Sequence, residues 1–545
     1  PFVEMLQMPN PKIVHAILKI INMIVEDGTI RESFSVMGGI ASTLQYANRK
    51  FSRPIRQETS VFIKQMLSAG RKTMQMFIGA RGLPVLVDFI ASEEDFTHNK
   101  DLFLIGIDCI YSILTSNLQV RIPKNDFCRL FAKLSLLPHL ARAFELVAKD
   151  PTTKNVYPEK IADVFVIFSK GDVVVKTHFC EQDVLKRLFH VLGQPELPAP
   201  TFLKILKCIS ALSMSSITLE PLSTAGTIKI LVPYMGRREG KLMMETHQQL
   251  FSALYNLCRL NPGRQLVAAK AGIIPHLQWV VQENHSLKQF ALPILFEMAR
   301  SKKIRDIMKP KEGVTFFLGL LKQQYPWQVQ AMDCLAIWLG DDAIVAETIK
   351  ANLDPIIDVF KASTTDEVFS RLFELLHTMI TQSETLNIAL SSSSLLDTVI
   401  ERTNHKNALV RVQLLKILTS FFVTHPKPQV MIERLQDVVT RLQSDSTILV
   451  RDMAKALSSK FKKASKSSST KTKESSRTLR GAVSSATVST TSSSSSTSSS
   501  STSGDKDKEK DKERKTSSSL HGTLGKGKDK EKDKEKEKEK EKSKK

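Results

Sequence analysis

The stretch Gly79–Ile90, GARGLPVLVDFI, sets a Gly-Leu-Pro corner between two apolar runs. The same grammar returns in KLSLLPHL (Lys133–Leu140) and KAGIIPHL (Lys270–Leu277): a small residue, one or two apolar residues, a proline and an apolar helix start. Aligning these with similar corners places them at Ile40, Leu83, Leu137, Leu185, Ile228, Ile274, Val314, Asp354 and Leu396, separated by 43, 54, 48, 43, 46, 40, 40 and 42 residues. That spacing is the one armadillo and HEAT units use, about 40–47 residues. The two longest intervals contain polar stretches, Ser92–Lys100 and Lys149–Pro158, read as loop insertions.

Within the units the apolar residues follow a helical period. Val14, Ile17, Leu18, Ile21, Ile24 and Val25 form one stripe, and Val410, Leu414, Ile417, Leu418 and Phe421 form another. Leu415 and Phe422 add a second apolar side, as a helix sandwiched between neighbours requires. Asn10-Pro11, Arg53-Pro54, Tyr325-Pro326 and Asp445-Ser446 mark helix starts. Asp27-Gly28 follows a helical stripe, so it reads as a helix end rather than a hairpin. At the corner, Gly82 is expected to make the sharp turn, and Pro84 suits a first helical turn, where its missing N–H has no partner to lose. Gly39, Gly226, Gly272 and Gly313 sit near the same corner, without the spacing of a phosphate-binding loop. The fold expected is an all-α, armadillo/HEAT-type right-handed α-solenoid of roughly ten repeats over residues 1–459.

The chain has 545 residues, too many for one compact domain, and 42% of them are hydrophobic against only 7% aromatic. An aliphatic core with Phe as filler follows. Six scattered cysteines (Cys109, Cys128, Cys180, Cys208, Cys258 and Cys334) lack any C-x-x-C pair and read as reduced, buried apolar residues of an intracellular protein. No apolar run reaches the roughly 18 residues a membrane span needs. Residue 1 is Pro, so the numbering is expected to begin inside a longer chain. Of the net charge of +22, +12 lies in residues 460–545, where 25 Lys and Arg face 13 Asp and Glu. This segment, with SSSSSTSSSSTS at Ser492–Ser503 and a Lys/Glu/Asp run at Asp529–Glu541, cannot bury enough apolar surface to offset chain entropy. It is expected to be a disordered Ser/Thr-rich and Lys/Glu-rich tail, open to phosphorylation.

The sequence shows no catalytic, cofactor-binding or metal-binding constellation. There is no H-E-x-x-H, no zinc-like Cys/His spacing and no G-x-S-x-G elbow. His139 and His276 recur at one repeat position, and Met74 and Met76 read as core. The candidate functional feature is the groove lined by the long third helix of each unit. Aligning Ala253–Leu257 with the other long helices gives a partner-binding column of Gln65, Asn256, Glu297 and Trp338, the last three 41 residues apart each time. The alternative is that these are ordinary helix residues, Trp338 packing inside the stack. Trp279, Trp327 and Trp338 are followed four residues later by Glu283, Ala331 and Asp342, so the Trp-x-x-x-Asn ladder of nuclear-import receptors is missing.

MQMFIGARGLPVLVDFI (Met74–Ile90), KNDFCRLFAKLSLLPHL (Lys124–Leu140) and LYNLCRLNPGRQLVAAKAGIIPHL (Leu254–Leu277) resemble the C-terminal half of septation-initiation protein kinases. That group includes plant MAP-kinase-kinase-kinase epsilon and its fungal and amoebal relatives. The resemblance covers Pro1 to Leu457, and its most specific part is Asn125-Asp126-Phe127-Cys128-Arg129. It implies an N-terminal Ser/Thr kinase domain in the full-length protein and a role in cytokinesis signalling. It also implies protein partners along the groove, such as a small GTPase or downstream kinase of a septation pathway, in the cytoplasm at a spindle pole or division site. The kinase's own motifs are absent here: Asp88-Phe89 and Asp126-Phe127 are followed by Ile90 and Cys128, not Gly. ATP and Mg are therefore expected only for a kinase domain outside this sequence, and the non-catalytic armadillo half is expected to act as an interaction scaffold. The alternative is a free-standing basic armadillo protein binding nucleic acid or cytoskeleton through its tail, where interspersed acids and a lack of aromatics weigh against base stacking.

Overall fold

The computed structural model describes residues 2–478 except 92, 116–122, 284–285, 324–326 and 363–365. Among the described residues the secondary structure is helical throughout, with no strand. Ten long helices recur along the chain: α1 (Pro11–Ile24), α2 (Arg53–Ser68), α3 (Lys100–Thr115), α4 (Tyr157–Ser169), α5 (Ala199–Ser213), α6 (Met243–Cys258), α7 (Lys288–Ala299), α8 (Trp327–Asp341), α9 (Asp366–Gln382) and α10 (Ala408–Thr424). Each packs on the next, forming a ladder. Between successive rungs run two further helices, in most units shorter, as in Arg71–Gly79 and Gly82–Ile90 between α2 and α3. This is the three-helix unit of an armadillo-type solenoid, and all nine corners read from the sequence fall in the opening turn or first residues of the second short helix.

Start signals act through side chains. Asn10 Oδ1 accepts from Lys12 N at 3.0 Å at the start of α1. Asp27 does more than mark a helix end: its Oδ1 accepts from Thr29 N and Ile30 N and caps the helix Gly28–Val36. Tyr325-Pro326 lies outside the described residues, and α8 begins at Trp327.

The corner itself differs from the expectation. The left-handed residue is Arg81, with φ 62°, and Gly82 is the first residue of the following helix. A Cβ on Gly82 would lie 2.3 Å from the Phe77 ring, so the glycine is there for close packing. Gly39 against Phe34 and Gly313 against Trp338 repeat this, whereas Gly226 (φ 80°) and Gly272 (φ 92°) carry the turn themselves. The two glycine registers are one residue apart and do different jobs.

Of the two polar stretches, the first proves partly helical, while the second is a loop at residues 150–156, as expected. Glu93–His98 forms a helix, and the second short helix of the next unit extends over Leu136–Lys149. Beyond it Thr153 is buried, donating its hydroxyl to Val147 O at 2.9 Å.

The core is aliphatic with Phe between the layers, and its largest fully buried side chain is Trp338. All six cysteines are unpaired and buried. Burial pushes the thiols of Cys109, Cys258 and Cys334 up to about 12, which suits packing and not nucleophilic chemistry. After α10 come Pro428–Leu442 and α11 (Ile448–Thr478). The stack does not stop at 459: Phe461 is buried against Phe422, ring centroids 4.7 Å apart. One compact unit spans Pro1–Lys473, and the expected tail from residue 479 on lies outside the described residues.

Candidate protein-interaction face

The ladder helices from α2 to α9 bury one side against their own short helices and two flanks against neighbouring rungs. What remains is an exposed side that varies from rung to rung: on α3 only Asp101 is exposed, and on α4 no residue is. On α2 it holds Gln57, Val61 and Lys64; on α6, Glu245, Gln248 and, half-buried, Ser252; on α7, Gln289; on α8, Gln330.

The four column residues sit on the ladder but do not form one surface. Gln65 is half-buried and donates through Nε2 to Asn22 O of the preceding rung at 3.2 Å. Its buried Oε1 has no partner. Asn256 donates through Nδ2 to Ser213 Oγ, again one rung back, at 3.0 Å. The Glu297 carboxylate accepts from Leu260 N at 2.8 Å and from Gln265 Nε2 at 2.7 Å, fixing a junction where Leu260 holds φ 54°. Gln65 and Asn256 thus tie neighbouring rungs together, Glu297 ties a rung to the junction before it, and all three remain partly exposed.

Trp338 departs from the groove reading. It is 0% exposed, its ring edge-on to Phe317 at 6.2 Å and over Gly313, with Nε1 unpartnered. The physical reason is the corner: with glycine at position 313, the short helix leaves a hollow that the indole fills. Trp338 belongs to the core and offers no side to a ligand.

A set of charged ties was missed in the sequence. Lys160 Nζ meets Asp108 Oδ1 at 2.5 Å, and Tyr157 OH donates to Asp108 Oδ2 at 3.3 Å, joining α3 to α4. Burial beside that carboxylate pushes the Tyr157 hydroxyl up to about 12. Lys204 of α5 then bridges Glu159 and Asp163 of α4 at 2.9 and 2.7 Å. Arg300 reaches Asp333 at 2.8 Å. The usable signal was the repeat period itself, since the Lys160–Asp108 and Lys204–Glu159 partners lie 52 and 45 residues apart.

The Asn125–Arg129 block has a structural role. Asn125 Nδ2 donates to Asp172 Oδ2 at 3.1 Å while Asp172 N donates to Asn125 Oδ1 at 3.0 Å, and Arg129 pairs with the same carboxylate. Asp172 in turn caps Val173–Phe179 through Val175 N. Phe127 and Cys128 point into the core. One clamp therefore joins the first short helices of two consecutive units.

His139 and His276 are half-buried, their protonation disfavoured first by burial and then by Arg142 and Arg238 respectively. Among the described residues no group of three His, Cys, Asp or Glu side chains is placed to hold a metal ion. No single described helix is long and apolar enough to cross a membrane.

No family model matches the chain. Over 83% of its length it is 34% identical to the cytokinesis protein sepH of Aspergillus terreus, covering 34% of that protein. Cell division control protein 7 of Schizosaccharomyces pombe matches 84% of the chain at 28% identity, over 43% of its own length. MAP3K epsilon protein kinase 1 of Brassica napus matches 84% at 25% identity, over 52% of its own length. The chain thus spans between a third and about half the length of these relatives. The relationship expected from the Asn125–Arg129 block holds, and the chain is a homologue of the septation kinases and the plant MAP3K epsilon kinases over one region of them.

Proposed function

We propose that this region is the protein-interaction part of a septation-signalling kinase and that a partner segment lies along the exposed stripes of the ladder helices. The observation carrying this reading is the set of exposed ladder residues on α2, α6, α7 and α8, with a half-exposed amide or carboxylate at Gln65, Asn256 and Glu297. Solenoids offer extended surfaces of this kind, and side-chain amides can pair with the backbone of an extended partner. The partner, by the relationship, is a small GTPase or downstream kinase of the septation pathway, met at the division site. Phosphoryl transfer belongs to a domain outside this sequence.

The test is a comparison of wild type with Gln65→Ala/Asn256→Ala. Each change removes one tie, costing about 1 kcal/mol. Proteins retained from dividing-cell extracts by wild type, identified by mass spectrometry, should be lost by the double variant while it stays folded. Undiminished capture, or loss only alongside unfolding, would remove the ladder face from the account.

A further inference from the structure

One kind of tie between units is neutralised in one place and left charged in another. Arg49 reaches forward to the next unit, where Asp88 stands five residues after the corner Leu83. Its Nη2 donates to Asp88 O at 2.9 Å and lies 3.5 Å from the carboxylate. Trp279 holds the same place after the corner Ile274, and Arg238 of the preceding unit lies over it, Cζ 3.4 Å from the ring centroid. The indole takes the place of the carboxylate. Arg237 is likewise held on rings, 4.6 Å from Tyr234 and 5.3 Å from Phe202. Among the described residues neither arginine forms an ion pair, and Arg238 uses one donor on Met235 O at 3.2 Å. Stacking on a ring occupies the flat face of a guanidinium and leaves its in-plane N–H donors for an oxyanion.

The charges around this corner share one sign. His276 is held below its ordinary value first by burial and then by Arg238, Lys311 and His247. At the equivalent His139, the Asp88 carboxylate acts against Arg142 and Arg49. Gly236 lets the chain close on His276, since a Cβ there would lie 3.3 Å from its Cε1. Next to His276, Pro275 and Lys311 line a cleft of about 590 Å³ between the helices Ile273–Gln282 and Gly313–Leu320. Gln278 Nε2 donates to Lys311 O at 3.0 Å and fixes that side. Phe316 gives the cleft an apolar part and Gln282 an amide, a lining suited to an extended peptide. Its one carboxylate is Glu312, so the excess positive charge comes from Arg238. A Cβ on Gly319 would meet nothing within 4 Å, so the cleft is open there.

A phosphate monoester carries a charge of about −1.5 to −2 and three acceptor oxygens, so it can serve several cations where a carboxylate fills one fork. Nucleic acid fits less well, because each ring here already carries a guanidinium and base stacking needs a free one. The chain's own tail, at +12 over residues 460–545, also fits less well. We propose that this corner recognises a phosphorylated Ser or Thr in an extended segment of a partner protein, the phosphate meeting Arg238 and Lys311 and the flanking residues lying in the cleft. The site is built on the second short helices and stands apart from the ladder reading.

The experiment selects a labelled peptide with the full chain from a degenerate phosphoserine and phosphothreonine pool, then titrates it beside its unphosphorylated form. The phosphorylated form is expected to bind at least about tenfold more tightly. Arg238→Lys keeps the charge but loses the planar fork, and should weaken it by about tenfold. Gly319→Leu puts a side chain into the open cleft and should also weaken it, with the melting temperature unchanged. No peptide selected, equal binding of the two forms, or binding indifferent to both variants would overturn the proposal. Inorganic phosphate competing as well as the phosphopeptide would overturn it too, since the cleft would then contribute nothing. So would tighter binding of a single-stranded RNA, or of a phosphorylated Ser492–Ser503 peptide, which would give the corner to nucleic acid or to the chain's own tail.

Discussion

Trp338 and Gly313 form a pair in which each explains the other. The indole sits where a Cβ on Gly313 would come within 2.6 Å of Trp338 Cη2. Trp338→Ala should lower stability by about 3–5 kcal/mol, seen as a large fall in melting temperature. Gly313→Ala should cost about 1–3 kcal/mol by overpacking the same spot. A Trp338→Ala variant that melts like wild type would return Trp338 to the surface. Single carboxylates make the same scale testable by pH. The Arg411 guanidinium, at 2.8 and 2.9 Å, holds the Asp445 carboxyl below its usual 3.8, helped by Thr447 N and opposed by burial. Asp172 is lowered too, first by Val175 N and also by Asn125 and Arg129. A depressed folded value means the stabilisation is fully present above the unfolded carboxyl range and is lost as pH falls through the folded one. Melting temperature should therefore hold from neutral pH down to about 5 and drop below about 4, with a smaller drop in Asp445→Asn. Residue roles were the least legible level in the sequence. The repeat period found the column of Gln65, Asn256, Glu297 and Trp338, but period alone says which residues are equivalent, not which way each points. Trp338 went inward because of a glycine 25 positions earlier, a pairing no local pattern reveals.

At the scale of the element, the corner decides most. A short helix ends in a left-handed residue and the next helix starts at once, so adjacent positions face opposite demands. At Arg81 the backbone favours glycine; at Gly82 the Phe77 ring forbids a side chain. Arg81→Gly should be neutral to about 1 kcal/mol more stable, relief of the left-handed strain being partly offset by the freer unfolded chain. Gly82→Ala should be less stable by about 1–3 kcal/mol. In thermal melts of the two variants, one residue apart, Gly82→Ala should fall while Arg81→Gly holds or rises; a fall of similar size in both would refute the division of labour. The corners were legible in sequence because Pro84, Pro138 and Pro275 and the apolar residues around them are local signals. The left-handed position was not, since Arg81, Ser135 and Glu312 carry it without being glycine. Nor was the helix Glu93–His98 inside the first long interval, whereas the second polar stretch loops at residues 150–156 as its composition indicates.

At the scale of the whole molecule, the described chain is a stack in which each rung packs on the next, so stability is carried by nearest-neighbour interfaces and by ties such as Asn256–Ser213 and Lys160–Asp108. Stack and period were readable from the corners alone, because any unit that cannot bury its own apolar face must repeat. The central claim is that the exposed side of the ladder receives the partner. Photo-reactive residues placed one at a time at Lys64, Gln248 and Gln330 on the ladder, and at Lys186 and Lys229 on the short helices, test it in dividing cells. Adducts to a common protein from the three ladder positions, and none from the other two, are the result expected. Adducts from Lys186 and Lys229 with none from the ladder would contradict the account.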